Sequence, residues 1–119
     1  TAYANEREQF GRPVAGFQSI KHMLADMWVR QEMARAAVWS AGATIDQEGV
    51  GDPARAVASA KVVAGDAAMK NARASIQIHG GMGYVWEMAP HYYLKRAWVL
   101  ATSFGGSEEY EEQLAHQLG

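Results

Sequence analysis

Residues 52–80, DPARAVASAKVVAGDAAMKNARASIQIHG, decide the fold. Asp52 can accept hydrogen bonds from the first free amides of a helix. Pro53 suits the first helical position, where its missing N–H costs nothing. Alanines at 54, 56, 58, 60, 64, 67, 68, 72 and 74 follow. Alanine has the highest helix propensity and lets a neighbouring helix approach closely. Glycines 80, 81 and 83 then stop the run, so the pattern predicts a helix over 53–79.

Working upstream, apolar residues fall at Phe17, Ile20, Met23, Leu24, Met27, Ala34, Ala37, Val38, Ala41 and Ile45. Steps of three and four mark one face of a second long helix. It should stop near Asp46–Gly51, where Gly49 and Gly51 can supply a turn with positive φ. Residues 1–10 read as the tail of a helix whose body lies further upstream, since the chain opens on Thr1. Downstream, a shorter helix is expected from about Pro90 through Tyr92, Tyr93, Leu94, Trp98, Val99 and Leu100. A last one follows Gly105–Gly106, with Ser107 as cap and Glu108, Glu109, Glu111 and Glu112 near its positive end. No alternating stretch, hairpin signal or repeat interrupts this reading. The expected fold is all-α: one domain over 1–119, an antiparallel four-helix bundle with two long and two short helices.

The 119 residues, 49% of them hydrophobic, can bury one self-supporting core. A formal charge of −2 gives no electrostatic case for nucleic acid, and zero cysteines exclude a disulfide framework, thiolate metal site or cysteine nucleophile. No apolar run reaches the roughly 18–20 residues that cross a bilayer, so no membrane partner is expected. TAYANEREQFGR at the start is too polar for a signal peptide.

Metal chemistry finds little support. His22, His79, His91 and His116 have no HExxH spacing, and Pro90 interrupts any shared helical face of Glu87 and His91. No G-x-S-x-G occurs. Two places remain. Residues 75–87, SIQIHGGMGYVWE, put consecutive glycines after a helix. Such a turn is either a glycine helix stop or a loop whose bare amides can approach phosphate oxygens. It is not the dinucleotide fingerprint, and no strand precedes it. Arg7, in the polar junction EREQFGRP, is either a solvated surface side chain or a phosphate-binding fork. Phe10 reads as a packing anchor. Trp28, Trp39, Trp86 and Trp98, with Met23, Met27 and Met33, read as core or subunit-contact residues.

Four motifs then occur in one order: R-x-x-F-G at Arg7–Gly11, F-Q…L-A-D-M over Phe17–Met27, Q-I-H-G-G-M-G-Y at Gln77–Tyr84, and F-G-G-S at Phe104–Ser107. Together they resemble the C-terminal helical domain of the acyl-CoA dehydrogenase family, over essentially the whole chain. The resemblance implies a longer, three-domain FAD enzyme that oxidises an acyl-CoA between Cα and Cβ. A carboxylate takes the α-proton and the β-hydride goes to the flavin. It implies contacts from Arg7, Phe10, Gln77, Ile78, Gly80 and Gly81 to the diphosphate and adenosine of an FAD held mainly by a neighbouring subunit, with Gln18 on the flavin side and Ser107, Glu108 and Glu109 beside the flavin. Phe104, Gly105 and Gly106 would lie on the substrate side. The implied partners are the acyl-CoA, an electron-transfer flavoprotein or similar acceptor, and further subunits in a homodimer, homotetramer or hetero-oligomer. The implied setting is cytoplasmic and bacterial.

Two departures bear on the chemistry. Many members carry the catalytic glutamate where this chain has Gly105, and glycine cannot take a proton. No catalytic residue is therefore expected within 1–119; some relatives place the glutamate on an earlier helix, upstream of Thr1. Others are non-catalytic partner subunits, and flavin-dependent oxygenation on the same fold is a third reading. After Ser107 the usual Q-R-x-x-I-A gives way to Glu111–His116, EEQLAH, which bears on the last helix's subunit contacts. The stretch WEMAPHYYLKR at 86–96 resembles a bacterial branch associated with bulky acyl groups. Arg96 keeps the family's arginine there, and Ala97 replaces its aspartate.

Overall fold

A computed structural model describes residues 2–9, 12–13, 16–80 and 89–119. Helices α1 (Ala2–Glu6), α2 (Gln18–Asp46), α3 (Pro53–His79), α4 (Ala89–Thr102) and α5 (Ser107–Leu118) account for most of them. The all-α bundle with two long and two short helices is as expected.

α3 is the central element, and α2, α4 and α5 all pack on it. Its start follows the sequence closely. The Asp52 carboxylate accepts from the Ala54 amide at 3.0 Å, and Pro53 takes the first helical position. α2 runs antiparallel to α3, joined through Gly49 at φ 82° and Gly51 at φ 78°. The long helices are stapled where Asn71 Nδ2 donates to the Met27 carbonyl at 2.9 Å. Lys61 Nζ donates to the Leu100 carbonyl at 2.6 Å, placing a cation at the negative end of α4.

The core is built mainly of small residues: Ala4, Ala41, Ala58, Ala60, Ala67, Ala72 and Ala97, with Ile76 and Ile78. The alanine run in α3 permits this close approach. Among the described residues the tryptophans do not join the core. Trp28, Trp39 and Trp98 are 65%, 74% and 65% exposed and Met33 is 60% exposed, which removes the core reading for these four, while Met23 and Met27 are half-buried. Val38 and Ile45 of the expected α2 stripe are exposed as well, while Ala41 is buried. Periodicity found the apolar side chains but not which of them this chain covers. Trp86 lies outside the described residues.

Two further expectations change. Among the described residues the N-terminal segment is helical over Ala2–Glu6. It is followed by a short antiparallel pairing of β1 (Glu8–Gln9) with β2 (Arg12–Pro13), in which Glu8 opposes Pro13 and Gln9 opposes Arg12. A ladder of two residues per strand is too short to leave an alternating pattern in the sequence. Ser107 is not the cap of α5: it is the first helical residue, and Gly106 is the cap. Glycine is itself an acceptable cap residue. The acidic first turn, Glu108 and Glu109, is as expected.

Candidate functional site

Arg7 and the glycine stop of α3 come together, although 72 positions separate Arg7 from His79. α1 makes this possible: its one short run carries Tyr3 and delivers Arg7, whose amide donates to the Tyr3 carbonyl at 2.9 Å. The Arg7 Nη1 then donates twice. One hydrogen goes to the Tyr3 hydroxyl at 2.8 Å and the other to the His79 carbonyl at 2.8 Å. That carbonyl belongs to the last turn of α3, where helix carbonyls lack a partner further along the chain. The guanidinium thus caps α3 and sets a full positive charge against its partial negative end.

Gly80 explains the close fit. Its φ of 63° is a conformation that side chains other than glycine's adopt at a cost. A Cβ there would stand 3.2 Å from Arg7 Nη1, tighter than ordinary packing, and 3.7 Å from Nη2, an ordinary contact. The Gly80 amide donates to the Gln77 carbonyl, closing the helix.

An aromatic pair sits under the arginine. The Tyr3 and His79 rings stack with centroids 3.9 Å apart and planes 20° from parallel. The His79 Nδ1 lies 2.7 Å from the Ser75 carbonyl. A carbonyl only accepts, so Nδ1 carries the proton. His79 stands within the Gln77–Tyr84 motif and Tyr3 in none. No spacing rule links them, because the stack joins the first and third helices.

The Gln77 side chain is exposed at this end of α3, and Ile78 is buried in the core. Gln77 and Gly80 share a cleft of about 510 Å³ with Arg73, Ile76 and Leu94. Gln18 opens α2, and the antiparallel register places it at the same end of the bundle. Its Nε2 is 2.9 Å from a His22 ring nitrogen. Phe10 and Gly81 lie outside the described residues.

Phe104, Gly105, Gly106, Ser107, Glu108 and Glu109 form a separate place. Ser107 Oγ is 3.8 Å from the position a Cβ on Gly65 would take. Gly65 precedes Gly80 by about 22 Å along α3, at 1.5 Å per residue. The turn here is sharp: Phe104 has φ 58° and is 95% exposed, and Gly105 has φ 101°. The Tyr110 hydroxyl donates to the Phe104 carbonyl and pins the turn to α5. Gly105 brings no side chain, so this turn supplies no proton acceptor at that position. Among the described residues no group of three or more His, Asp or Glu side chains could hold a metal.

The profile of the acyl-CoA dehydrogenase C-terminal domain matches residues 1–118. The chain belongs to the acyl-CoA dehydrogenase family. Acyl-CoA dehydrogenase FadE34 of Mycobacterium tuberculosis is 44% identical over 107 residues, 89% of this chain and 15% of that protein. The 3-sulfinopropanoyl-CoA desulfinase of Paraburkholderia xenovorans is 40% identical over 117 residues, 98% of this chain and 29% of the relative. Among solved structures, a FAD-dependent dehydrogenase superposes with a TM-score of 0.92 at 32% identity, over 99% of this chain and 31% of that one. The acyl-CoA dehydrogenase likeness therefore runs through nearly all of this chain. The chain itself spans less than a third of these relatives. Among the described residues no helix is long and apolar enough to cross a membrane.

Proposed function

We propose that residues 1–119 form the C-terminal helical domain of a longer, three-domain, FAD-dependent acyl-CoA dehydrogenase. The observation that carries this reading is the guanidinium of Arg7 seated against Gly80 at the end of α3, in a chain of this family. An anion at a helix C-terminus would ordinarily be repelled. Here the arginine reverses the sign of the local charge, and the absent Gly80 side chain leaves room.

The residues present fit the diphosphate of FAD. With both Nη1 hydrogens committed, Arg7 keeps the Nε and Nη2 donors, a parallel pair suited to two phosphate oxygens. Gln77 and Gln18, at the same end, would add neutral donors; Ile78 backs the turn, and Phe10 and Gly81 complete the set implied by the family. When bound, FAD supplies the hydride acceptor for α,β-dehydrogenation. Phe104, Gly105 and Gly106 would border the acyl group, and Ser107, Glu108 and Glu109 the flavin side. The base that takes the α-proton lies outside 1–119, because Gly105 has no side chain.

The exposed surface supports a larger assembly. The chain exposes 8210 Å², against about 6,300 Å² for a compact monomer of its mass. The exposed Trp28, Trp39 and Trp98 fit contact with other domains or subunits, in a homodimer, homotetramer or hetero-oligomer. An electron-transfer flavoprotein is the expected acceptor.

The full-length polypeptide, purified with FAD and mixed anaerobically with a panel of acyl-CoA thioesters, should lose its visible flavin absorbance with at least one. A flavin that stays oxidised with every thioester rejects the dehydrogenase reading. A second reading has specific support in Gly105 and in the 40% identity to a desulfinase: an acyl-CoA reaction that needs no base at this position. Loss of the sulfinate group from 3-sulfinopropanoyl-CoA without flavin bleaching would select it.

A further inference from the structure

We infer that the Tyr3–His79 stack is a positioning device that selects which edge of the Arg7 guanidinium meets the cofactor's diphosphate; this rests on the FAD reading above. A guanidinium offers two forks of parallel N–H donors, one across Nη1 and Nη2 and one along Nε and Nη2. The Tyr3 hydroxyl and the His79 carbonyl take both hydrogens of Nη1, each at 2.8 Å. The end-on fork is thereby spent. Only the Nε–Nη2 edge can grip two phosphate oxygens.

This choice is enforced by rigid parts. The His79 carbonyl is fixed by the backbone of α3. The Tyr3 hydroxyl could swing on its own, since α1 is only five residues long. The histidine ring prevents that by lying flat on the tyrosine ring at 3.9 Å, and it is itself held by the Nδ1 proton on the Ser75 carbonyl. The order of support runs from Ser75 to His79 to Tyr3 to Arg7. An arginine side chain loses much rotamer freedom when it binds an anion. Here that loss is taken on folding, before any ligand arrives. Tyr3 and His79 touch no phosphate in this arrangement; they act through Arg7.

The test uses the full-length polypeptide freed of flavin and titrated with FAD and with riboflavin, which lacks the diphosphate, by flavin fluorescence. Tyr3→Phe keeps the stack and removes the acceptor. It should weaken FAD by about three- to tenfold, the span expected for one hydrogen bond. Riboflavin affinity should not change, and the unfolding temperature of the flavin-free protein should fall by no more than the loss of one hydrogen bond accounts for. His79→Ala should weaken FAD likewise, and His79→Phe, which restores a flat ring, should recover most of it. If Tyr3→Phe binds FAD as the parent does, or loses FAD and riboflavin equally, the positioning role is wrong. Arg7→Gln separates the two levels. Unchanged FAD affinity in Arg7→Gln overturns the diphosphate reading and this inference with it. A weakened Arg7→Gln beside an unaffected Tyr3→Phe overturns the positioning role alone.

Discussion

Arg30 of α2 reaches Asn71 of α3 across the interface of the two long helices, Nη1 donating to Oδ1 at 2.9 Å. The same carboxamide donates from Nδ2 to the Met27 carbonyl, so one side chain uses both its ends to fix the register of α2 on α3. Alanine packing alone specifies register weakly, because one methyl group resembles the next. Asn71→Leu has similar bulk and removes both bonds, leaving the half-buried Arg30 donor without its partner. The expected loss is about 1–3 kcal/mol of stability, read as a lower midpoint in guanidinium unfolding followed by circular dichroism. Arg30→Met in the Asn71→Leu background should cost little more, since it removes the stranded donor. A double variant that sums the two single losses would argue against the coupling.

Gly65 sits in the middle of α3 with ordinary space beside it. A Cβ there would meet Ser107 Oγ at 3.8 Å and Ala101 Cβ at 3.9 Å. Gly65→Ala therefore gains helix propensity without a clash and should stabilise the protein by up to about 1 kcal/mol. Gly65→Leu should reverse the sign, because its branch must enter the contact with α4 and α5. Thermal unfolding of the two variants checks this, and an alanine variant that melts lower than the parent contradicts it.

The helices were legible because their signals are local. Asp52 and Pro53 announce α3, alanine carries it, and Gly80 ends it, all within a few residues of where each acts. The bundle end was half legible. Arg7 and Gly80 each stand in a motif, but their meeting depends on α1 folding back onto α3. The Tyr3–His79 stack is illegible for the same reason: a ring stack between residues far apart in the chain leaves no spacing to read, even with His79 inside the Gln77–Tyr84 motif. The tryptophans show the complementary failure. Hydrophobic periodicity reports that Trp28 and Trp39 are apolar, and it cannot report whether the surface that covers them belongs to the same stretch of chain.

Gly80 and Gly49 contrast a crowded glycine with an open one, and Gly80 also has ψ −153°, a region that glycine alone adopts readily. Both have positive φ, 63° and 82°, but a Cβ on Gly49 meets nothing within 4 Å while one on Gly80 presses on Arg7. Gly49→Ala should cost about 1–2 kcal/mol through backbone conformation alone. Gly80→Ala should cost at least as much and should also displace the guanidinium, so FAD binding to the full-length protein falls in this variant only. Equal FAD affinities in the two variants would show that the Arg7–Gly80 contact has no bearing on the cofactor.

Returning a glutamate to position 105 tests whether this turn still accommodates the residue that many family members carry there. Gly105 has φ 101°, and a Cβ on it would lie 2.8 Å from Glu109 Oε2 and 3.2 Å from the Tyr110 ring. Tyr110 pins the Phe104 carbonyl, so the turn cannot open freely to relieve the contact. Gly105→Ala isolates the backbone and Cβ cost, expected at about 1–2 kcal/mol. Gly105→Glu adds a second carboxylate beside Glu109 and should melt lower still. Adding Glu109→Gln should bring the glutamate variant back toward the alanine one, and added salt should narrow the same gap by screening. Scanning calorimetry at low and high ionic strength reads both effects. A Gly105→Glu variant as stable as the parent would mean that the turn readily adopts another conformation, and that its present shape is no obstacle to a base at this position.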